Sequence, residues 1–420
     1  MKRTFIPIRY ILVFSTFMLT ILLYIDRACI SAAKVSICSD LGIGATDFGW
    51  IMAAFTLGYA LFQTPSGKMA DKFGPRNVIS GIVTIWSALT AITGAAWNYI
   101  SILIIRFLFG AGEAGAFPAL AKVIYNWYPV KERGIMQGIN FSGSRLGAAF
   151  AMPLVAWLIT QIGWRYAFAV FGALGLLYGI LWYLLFRDKP ESISIISKGE
   201  LDYIRQNRQE SISAKKASLP FKSIIKSATM WKLMIQYVCS NFTFYFTITW
   251  MYSYFLERFN MGVVVTGFYT SIPLIAGAIG NWTGGIFMDA IYRQGNLKLS
   301  RRVPAITGFI LSALGIFMVT QVSIPVVSVI FMSIAIFGAD MTLSPSWAFC
   351  IDVGRENAGA VSGTMNMAGN LGAFITIITF PYLFQWTNRY EPFFIICAFL
   401  SLLAVIMWYS LNPAKSIAKY

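Results

Sequence analysis

The stretch GKMADKFGPR at residues 67–76 separates two long apolar segments, and the stretch GIFMDAIYR at residues 285–293 occupies the corresponding place in the second half of the chain. In both stretches a glycine is followed four residues later by an aspartate, Asp71 in the first and Asp289 in the second. Six apolar segments can be placed around each copy. The repeat therefore predicts two structurally related halves, each built from six helices.

The composition is that of a membrane protein. Of the 420 residues, 57% are hydrophobic and 12% are charged, and the mean hydropathy is +0.67. Soluble domains contain about 25% charged residues. One helical span of a bilayer needs about 20 residues, so twelve spans with short loops account for nearly the whole length. We predict an all-α membrane protein with twelve transmembrane helices, embedded in the lipid bilayer.

The predicted spans form two sets of six around one long polar stretch. This stretch, 188–229, is predicted to be a cytoplasmic linker that lies partly as a surface helix. It separates an N-terminal six-helix bundle, 1–187, from a C-terminal six-helix bundle, 230–420. The spans are predicted at 10–36, 47–69, 77–97, 99–127, 134–160, 165–187, 230–257, 266–291, 302–321, 324–350, 357–385 and 391–411.

Basic residues collect in alternate loops. The N-terminus, the linker and the loops around Lys72, Arg133 and Arg355 are rich in Lys and Arg, whereas the intervening loops are poor in them. Cytoplasmic loops of membrane proteins carry such an excess, so both termini are predicted to face the cytoplasm. The same distribution accounts for the net charge of +16, and we expect no nucleic-acid partner.

The sequence lacks histidine and several motifs that are typical of enzymes. The chain has no histidine, and its five cysteines include no Cys-x-x-Cys pair. The cysteines lie mostly in apolar segments and are interpreted as small core residues. The sequence also lacks a nucleophile elbow and a phosphate-binding loop. We therefore expect no enzymatic activity, no metal and no cofactor.

Four ionisable residues interrupt otherwise apolar spans: Asp26 and Arg27 in the first, Arg106 and Glu113 in the fourth. A charge in the middle of a membrane helix costs on the order of 3 kcal/mol, so it is rare without a partner or a function. Arg106 and Glu113 are seven residues apart, which places them on one helix face about 10 Å apart along the axis. Arginine binds a carboxylate through two N–H groups and keeps its charge. The four residues are therefore suited to hold an organic anion and to carry protons.

The chain resembles the major facilitator superfamily and, within it, the anion:cation symporters. Residues 67–76 resemble the signature loop G-x-L-A-D-[RK]-x-G-R-[RK], with Met69 in the Leu place and Pro75 in place of an Arg. The anion:cation symporters include bacterial sugar-acid transporters and the animal sialic-acid and vesicular glutamate carriers. The resemblance to this branch rests on residues 24–27, 59–65, 106–114, 127–133 and 163–165.

The resemblance implies roles for the four charged residues. In the anion:cation symporters, the residues that match Arg27 and Arg106 are linked to the substrate carboxylate. Those that match Asp26 and Glu113 are linked to protonation. The alternative is a structural ion-pair network between two helices, although buried ion pairs stabilise less than apolar packing does.

The fifth span contains a further charge, Arg145, which is open to two interpretations. Arg145 could bind the second carboxylate of a diacid, or it could pair with a carboxylate such as Asp340 in the tenth span. Its neighbour Ser144 stands where some sugar-acid transporters have Gln, and we retain both residues as candidates for substrate binding.

Neutral polar and aromatic side chains complete the candidate substrate site, with helix packing as the alternative role of each. Those in spans ten and eleven resemble the hydroxyl-contacting residues of the sugar-acid transporters. The candidates of this kind are Tyr24, Tyr59, Asn241, Tyr245, Ser344, Ser346, Trp347 and Asn366. The residues predicted to form a gating motif, which latches the cytoplasmic ends of helices, are Gly67, Asp71, Arg76 and Asp289.

Together these features predict a proton-coupled symporter that imports a small organic anion by alternating access. A sugar acid such as an aldonate, hexuronate or aldarate is the favoured substrate. The rivals within transport are Na⁺ as the coupling ion, anion exchange and export; a membrane sensor that binds the anion without moving it is a rival from another class. We expect a multi-pass, monomeric protein of a bacterial inner (cytoplasmic) membrane.

Overall fold

The computed structural model of the protein describes residues 6–209, 220–414 and 417, and within them all regular structure is helical. The first nine α-helices are α1 (Ile8–Ala32), α2 (Lys34–Leu41), α3 (Ala45–Phe73), α4 (Pro75–Thr93), α5 (Tyr99–Glu113), α6 (Ala116–Trp127), α7 (Arg133–Leu185), α8 (Lys198–Asn207) and α9 (Phe221–Lys226). The others are α10 (Ala228–Thr249), α11 (Met251–Arg258), α12 (Val263–Arg293), α13 (Leu297–Thr320), α14 (Pro325–Met341), α15 (Leu343–Gly354), α16 (Ala358–Thr387) and α17 (Glu391–Ser410). Short 3₁₀ turns lie at Val130–Glu132, Pro190–Ser192 and Arg355–Asn357.

The helices agree with a multi-pass membrane protein. Seven stretches of helix in the described chain are long and apolar enough to cross a bilayer. They are Ile8–Ala32, Tyr99–Trp127, Trp157–Leu185, Val265–Arg293, Leu297–Thr320, Pro325–Thr387 and Glu391–Ser410. The number of twelve spans and the orientation of the termini stay predictions.

Several predicted spans differ from single straight helices. The span predicted at 99–127 consists of α5 and α6, and the one at 230–257 consists of α10 and α11. Conversely, α7 contains two predicted spans, which are separated at Gly163, where φ is +79°. A positive φ is accessible to glycine because it has no Cβ, so the chain can bend there between two helical segments.

The chain divides into two compact units, each drawn from both halves of the sequence. Unit 1 contains residues 1–129, 146–218 and 354–367, and unit 2 contains residues 130–145, 219–353 and 368–420. The core of unit 1 is largely aliphatic, with Ile30, Ile37, Ile51, Ile102 and Phe168 among its members. The core of unit 2 is aromatic, with Phe246, Phe255, Phe393 and Phe394 among its members. The prediction of two bundles at 1–187 and 230–420 stays a prediction.

The described part of the polar linker is attached to the first helix of unit 1. The carboxylate of Glu200 in α8 accepts hydrogen bonds from the backbone N–H groups of Ile8 (3.0 Å) and Arg9 (3.1 Å). These N–H groups lie in the first turn of α1 and have no partner within the helix. Glu200 therefore caps α1. Residues 210–219 of the predicted linker lie outside the described residues.

Two glycines allow α3 and α5 to pack closely in unit 1. A Cβ added at Gly58 would collide with the carbonyl oxygen of Phe107, and one added at Gly110 would collide with the carbonyl oxygen of Phe55. Small residues permit such backbone approach between membrane helices. This contact fixes α5 against α3, and α5 carries Arg106 and Glu113.

The glycine contact predicts that Gly58→Ala destabilises the protein. The added methyl group would force α3 and α5 apart, at a cost of about 1–3 kcal/mol for overpacking. We expect a lower midpoint of thermal unfolding in detergent. Gly81→Ala is the matched control, because a Cβ at Gly81 in α4 meets nothing within 4 Å. Equal midpoints for the two variants would contradict the packing argument.

Candidate functional site

An ion pair joins α1 to α5 inside unit 1. Arg27 donates from Nε to Oε1 of Glu113 at 2.5 Å, and its Nη2 lies 2.5 Å from the same oxygen. The Glu113 side chain is fully buried, while 15% of the Arg27 side chain is exposed. We call Asp26, Arg27, Arg106 and Glu113 the charged cluster. Within this cluster, Arg27 has access to solvent and is paired with Glu113, the most deeply buried carboxylate.

Aromatic rings surround the guanidinium of Arg27. The ring centroids of Tyr59, Tyr24 and Phe55 lie 4.4, 5.0 and 5.2 Å from its Cζ atom. Cation–π contacts stabilise a charge where water is scarce. The two predicted tyrosines therefore do lie at the cluster. Phe55 was missed by the sequence analysis, although it lies one turn before Tyr59 on α3.

The other two members of the cluster have polar atoms without hydrogen-bond partners. Arg106 and Asp26 are each 1% exposed. Among the described residues, neither Nε nor Nη1 of Arg106 has a partner, and neither carboxylate oxygen of Asp26 has one. The Arg106 guanidinium instead lies against the rings of Phe109 (4.2 Å) and Phe55 (5.3 Å). Unsatisfied buried polar groups are rare in proteins, so these atoms make the cluster a candidate site for a ligand or a proton.

Asp26 lies within electrostatic reach of both Arg106 and Glu113, so α1 and α5 bring all four charges together. The buried Trp86 of α4 also lies beside the Asp26 carboxylate. The sequence analysis missed Trp86. Its span contains no ionisable residue, so the sequence analysis had no charge to draw attention to this helix.

Arg145 pairs with Asp340 in unit 2. Arg145 donates from Nε to Oδ2 of Asp340 at 2.7 Å and from Nη2 to Oδ1 at 2.5 Å, a bidentate geometry. The Phe244 ring centroid lies 3.7 Å from the Arg145 Cζ atom. Of the two interpretations of Arg145, the structure contains the pair with Asp340.

Several predicted polar residues of unit 2 bond to protein groups. The Trp347 indole donates to the hydroxyl of Tyr237 at 2.9 Å, and Asn241 donates to the Tyr237 carbonyl at 3.0 Å. Ser346 donates to the Thr342 carbonyl at 2.7 Å. Three further bonds are Ser144 to the Phe141 carbonyl (2.6 Å), Ser344 to the Asn281 carbonyl (3.4 Å) and Tyr245 to Asn370 Oδ1 (3.4 Å). Serine hydroxyls that bond to the preceding turn of their own helix are common in helix packing.

Asn366 forms a hydrogen bond with a residue from the first half of the sequence. It belongs to unit 1, where its Nδ2 donates to Oε1 of Gln63 on α3 at 2.9 Å. Next to this bond, the Thr64 and Thr364 hydroxyls are 3.2 Å apart. The order of the sequence gave no indication of this pairing, because 303 residues separate Asn366 from Gln63.

The two aspartates of the internal repeat make equivalent bonds. Asp71 accepts the N–H groups of Gly359 (2.9 Å) and Ala360 (2.7 Å), in the first turn of α16. Asp289 accepts the N–H groups of Gly134 (2.9 Å) and Ile135 (2.8 Å), in the first turn of α7. A carboxylate at a helix N-terminus satisfies free N–H groups and complements the helix dipole. We call these two contacts the aspartate caps, one in each unit.

The other two members of the predicted gating motif lie beside the first cap. A Cβ at Gly67 would collide with the Gly359 carbonyl oxygen, so a glycine is needed where α3 meets α16. Arg76 makes a separate contact, because its N–H donates to Asp188 Oδ1 (2.7 Å) and its Nε donates to the Tyr183 carbonyl (2.8 Å). No group of three His, Cys, Asp or Glu side chains that could hold a metal ion was found among the residues the structure describes.

Comparisons with known proteins relate the chain to membrane transporters. Residues 16–377 match the Major Facilitator Superfamily. The probable sulfoacetate transporter SauU of Cupriavidus necator is 33% identical over 396 residues, which cover 94% of this chain and 91% of the relative. The probable galactarate/D-glucarate transporter GudP of Escherichia coli is 29% identical over 425 residues, with 97% and 93% coverage.

The fold is similar to that of solved transporters. The structure of the proton:xylose symporter XylE bound to 6-bromo-6-deoxy-D-glucose aligns with a TM-score of 0.69. The alignment covers 96% of this chain and 97% of XylE. The two sequences are 17% identical, so this similarity concerns the fold alone.

The aspartate caps predict that Asp71→Asn lowers the stability of the folded protein. Asparagine has one side-chain oxygen, which can accept a hydrogen bond from one of the two N–H groups of α16. The NH₂ group of asparagine would face the other N–H group, and two donors cannot form a hydrogen bond. Leaving a buried donor unsatisfied costs about 1–3 kcal/mol, so we expect a lower unfolding midpoint in detergent.

The equivalent Asp289→Asn should have a similar effect. The control is Asp40→Asn, which removes an ion pair with Arg165 whose side chains are 47% and 40% exposed, and exposed pairs contribute little. A midpoint for Asp71→Asn equal to that of Asp40→Asn would show that the cap has no stabilising role.

Proposed function

The chain belongs to the Major Facilitator Superfamily, and we propose that it is a secondary active transporter that imports a small organic anion together with protons. The observation that carries this proposal is the charged cluster of unit 1. Three of its four residues, Asp26, Arg106 and Glu113, are buried, and Arg27 is partly exposed. One arginine and one aspartate have atoms without hydrogen-bond partners, and the other two residues form an ion pair. A cluster built only for stability would satisfy its own donors and acceptors.

The two arginines are the proposed anion-binding groups. Arg106 has two N–H-bearing nitrogens that lack partners and a rigid position between aromatic rings. Arg27 is partly exposed, so an entering anion can reach it. A substrate carboxylate would receive charge-assisted hydrogen bonds from such guanidinium groups, and these are stronger than bonds between neutral groups.

The two carboxylates are the proposed proton carriers. When an anion binds Arg27, it competes with Glu113 for the same N–H groups. A buried Glu113 that loses its counter-ion becomes costly as a carboxylate, and a proton removes that cost. Asp26, which has no hydrogen-bond partner in the described structure, is the second site that can take a proton. Competition for Arg27 thereby links anion binding to proton binding.

The proposed substrate class is small organic acids, including sugar acids such as aldonates, hexuronates and aldarates. Support comes from two relatives, SauU and GudP, which are named as probable transporters of sulfoacetate and of galactarate or D-glucarate. All three compounds are organic anions, in keeping with two arginines at the site. The two residues Asn366 and Gln63 add neutral polar groups on α16 and α3 that suit substrate hydroxyls.

Alternating access is the proposed mode of transport. Each aspartate cap joins segments that lie in different halves of the sequence, Asp71 to Gly359 and Asp289 to Gly134. We propose that these caps hold one access state and break when the transporter changes state. The proposal includes twelve spans, two bundles at 1–187 and 230–420 and a bacterial inner membrane. The loop charges favour cytoplasmic termini.

If Arg106 binds the substrate, Arg106→Ala should abolish substrate binding. The test is uptake of radiolabelled D-glucarate, sulfoacetate and a panel of other sugar acids into proteoliposomes with an inward proton gradient. Loss of the guanidinium removes the charge-assisted bonds, and we expect uptake to fall at least about 100-fold, as for a buried charged partner. Arg165→Ala, at an exposed arginine, is the control. Uptake by Arg106→Ala at the rate of Arg165→Ala would refute the assignment.

Proton coupling by Glu113 predicts a different defect for Glu113→Gln. The amide cannot exchange a proton, so accumulation driven by a proton gradient should be lost, while exchange of labelled for unlabelled substrate continues. The coupling ion is identified by measuring charge movement when substrate is added. The measurement is made with and without a pH gradient, and again with Na⁺ replaced by choline. Normal accumulation by Glu113→Gln, or currents that require Na⁺, would contradict proton coupling at this residue.

A further inference from the structure

The polar linker has two parts that differ in charge. Residues 188–210 contain five acidic and four basic residues, whereas residues 211–232 contain five lysines and no acidic residue. The next acidic residue along the chain is Glu257. The second part of the linker is therefore a run of positive charge that leads into the apolar helix α10. Its lysines are Lys215, Lys216, Lys222, Lys226 and Lys232.

The two parts also differ in how their charges are compensated. In the first part, Glu191 pairs with Arg205 at 3.3 Å. In the part of the chain that the structure describes, no carboxylate lies at ion-pair distance from Lys222, Lys226 or Lys232. The positive charges at the start of unit 2 are therefore available to an anionic partner from outside the chain.

The short helix α9 is amphipathic. Ile224 is fully buried and anchors the helix to unit 2. Lys222 and Lys226 are exposed and lie four residues apart, so they share one face of the helix, where like charges repel each other. A helix of six residues has little stability of its own in water, and this repulsion lowers it further. An anion beside α9 would remove the repulsion.

Two aromatic side chains accompany the lysines at the surface. Phe221, at the start of α9, is 41% exposed, and Trp231, in the first turn of α10, is 48% exposed. The Trp231 indole donates from Nε1 to the Ile225 carbonyl at 2.8 Å, so it fixes the corner between α9 and α10. Tryptophan is enriched where a membrane meets water. We call the following five residues the basic corner: Phe221, Lys222, Lys226, Trp231 and Lys232.

We propose that the basic corner binds an anionic glycerophospholipid of the cytoplasmic leaflet, with the lipid phosphate on the lysines and the glycerol and acyl region on the two aromatic rings. Lysine clusters directly beside a membrane helix attract anionic headgroups. Amphipathic helices with Lys on one face and Phe or Trp on the other lie at the membrane surface. A soluble phosphate compound would leave the exposed rings in water, so the combination favours a lipid. The inference is independent of the substrate proposed above.

The test compares phosphatidylglycerol, which is anionic, with phosphatidylcholine, which has no net charge. Bound lipids are counted by native mass spectrometry of the purified full-length protein in detergent, over a series of lipid concentrations. The wild type should bind phosphatidylglycerol at least about tenfold more tightly, because each lysine near the headgroup adds to the attraction. In Lys222→Gln/Lys226→Gln/Lys232→Gln, this preference should fall to about twofold or less, because the three charges are lost.

The matched control removes the same charge from the first part of the linker. Lys189→Gln/Lys198→Gln/Arg205→Gln changes three exposed positions and should keep the wild-type preference. Unfolding midpoints in detergent without added lipid verify that both triple variants are folded.

A further variant separates a lipid from a free anion. Phe221→Ser keeps every lysine but removes apolar surface, so phosphatidylglycerol should bind about threefold or more weakly. Excess inorganic phosphate should not displace the lipid from the wild type. The inference is overturned if phosphate does displace it, if Phe221→Ser binds the lipid as the wild type does, or if the wild type binds both lipids equally. It is also overturned if the two triple variants have the same lipid preference.

Discussion

A charge buried in an apolar helix must be compensated by a partner, a ligand or a proton, and this requirement decides where the functional groups of the chain lie. The charged cluster meets it only in part. Arg27 and Glu113 compensate each other at 2.5 Å, while Arg106 and Asp26 have polar atoms that no described residue satisfies. This imbalance supports the proposal that the cluster is a binding site and not a structural ion-pair network, because the unsatisfied atoms would be available to a substrate anion and to protons.

The scaffold around the cluster is built so that α1, α3 and α5 hold these charges in fixed positions. Gly58 and Gly110 let α3 and α5 pack so closely that a Cβ at either position would collide with the backbone of the other helix. Glu200 caps the first turn of α1. Aromatic rings from α3 and α5 then cover both guanidinium groups. Arginines held in this way would lose less conformational entropy on binding the proposed anion.

The internal repeat has a physical counterpart in the structure. Asp71 and Asp289 occupy equivalent places in the repeat, and each accepts two consecutive N–H groups at the start of a helix from the other half of the sequence. The bonds are directional and few, so they can stabilise one arrangement without preventing another. Such a contact suits a transporter of this superfamily, in which two related parts must change their arrangement during each cycle.

The sequence by itself determined the membrane environment, the repeat and the residues of the charged cluster. Composition, the spacing of a repeated motif and a charged residue inside an apolar span can all be read without knowing which helices meet. It identified Arg145 but left its partner open, and it missed Trp86 and Phe55. It named Asn366 among the polar residues of the second half of the chain but gave no partner for it, and the structure bonds Asn366 to Gln63. Only the tertiary structure could decide these pairings, because contacts across 195 or 303 residues depend on which faces of the helices meet. An apolar helix carries the same hydrophobic signal on every face, and the sequence therefore does not record that choice.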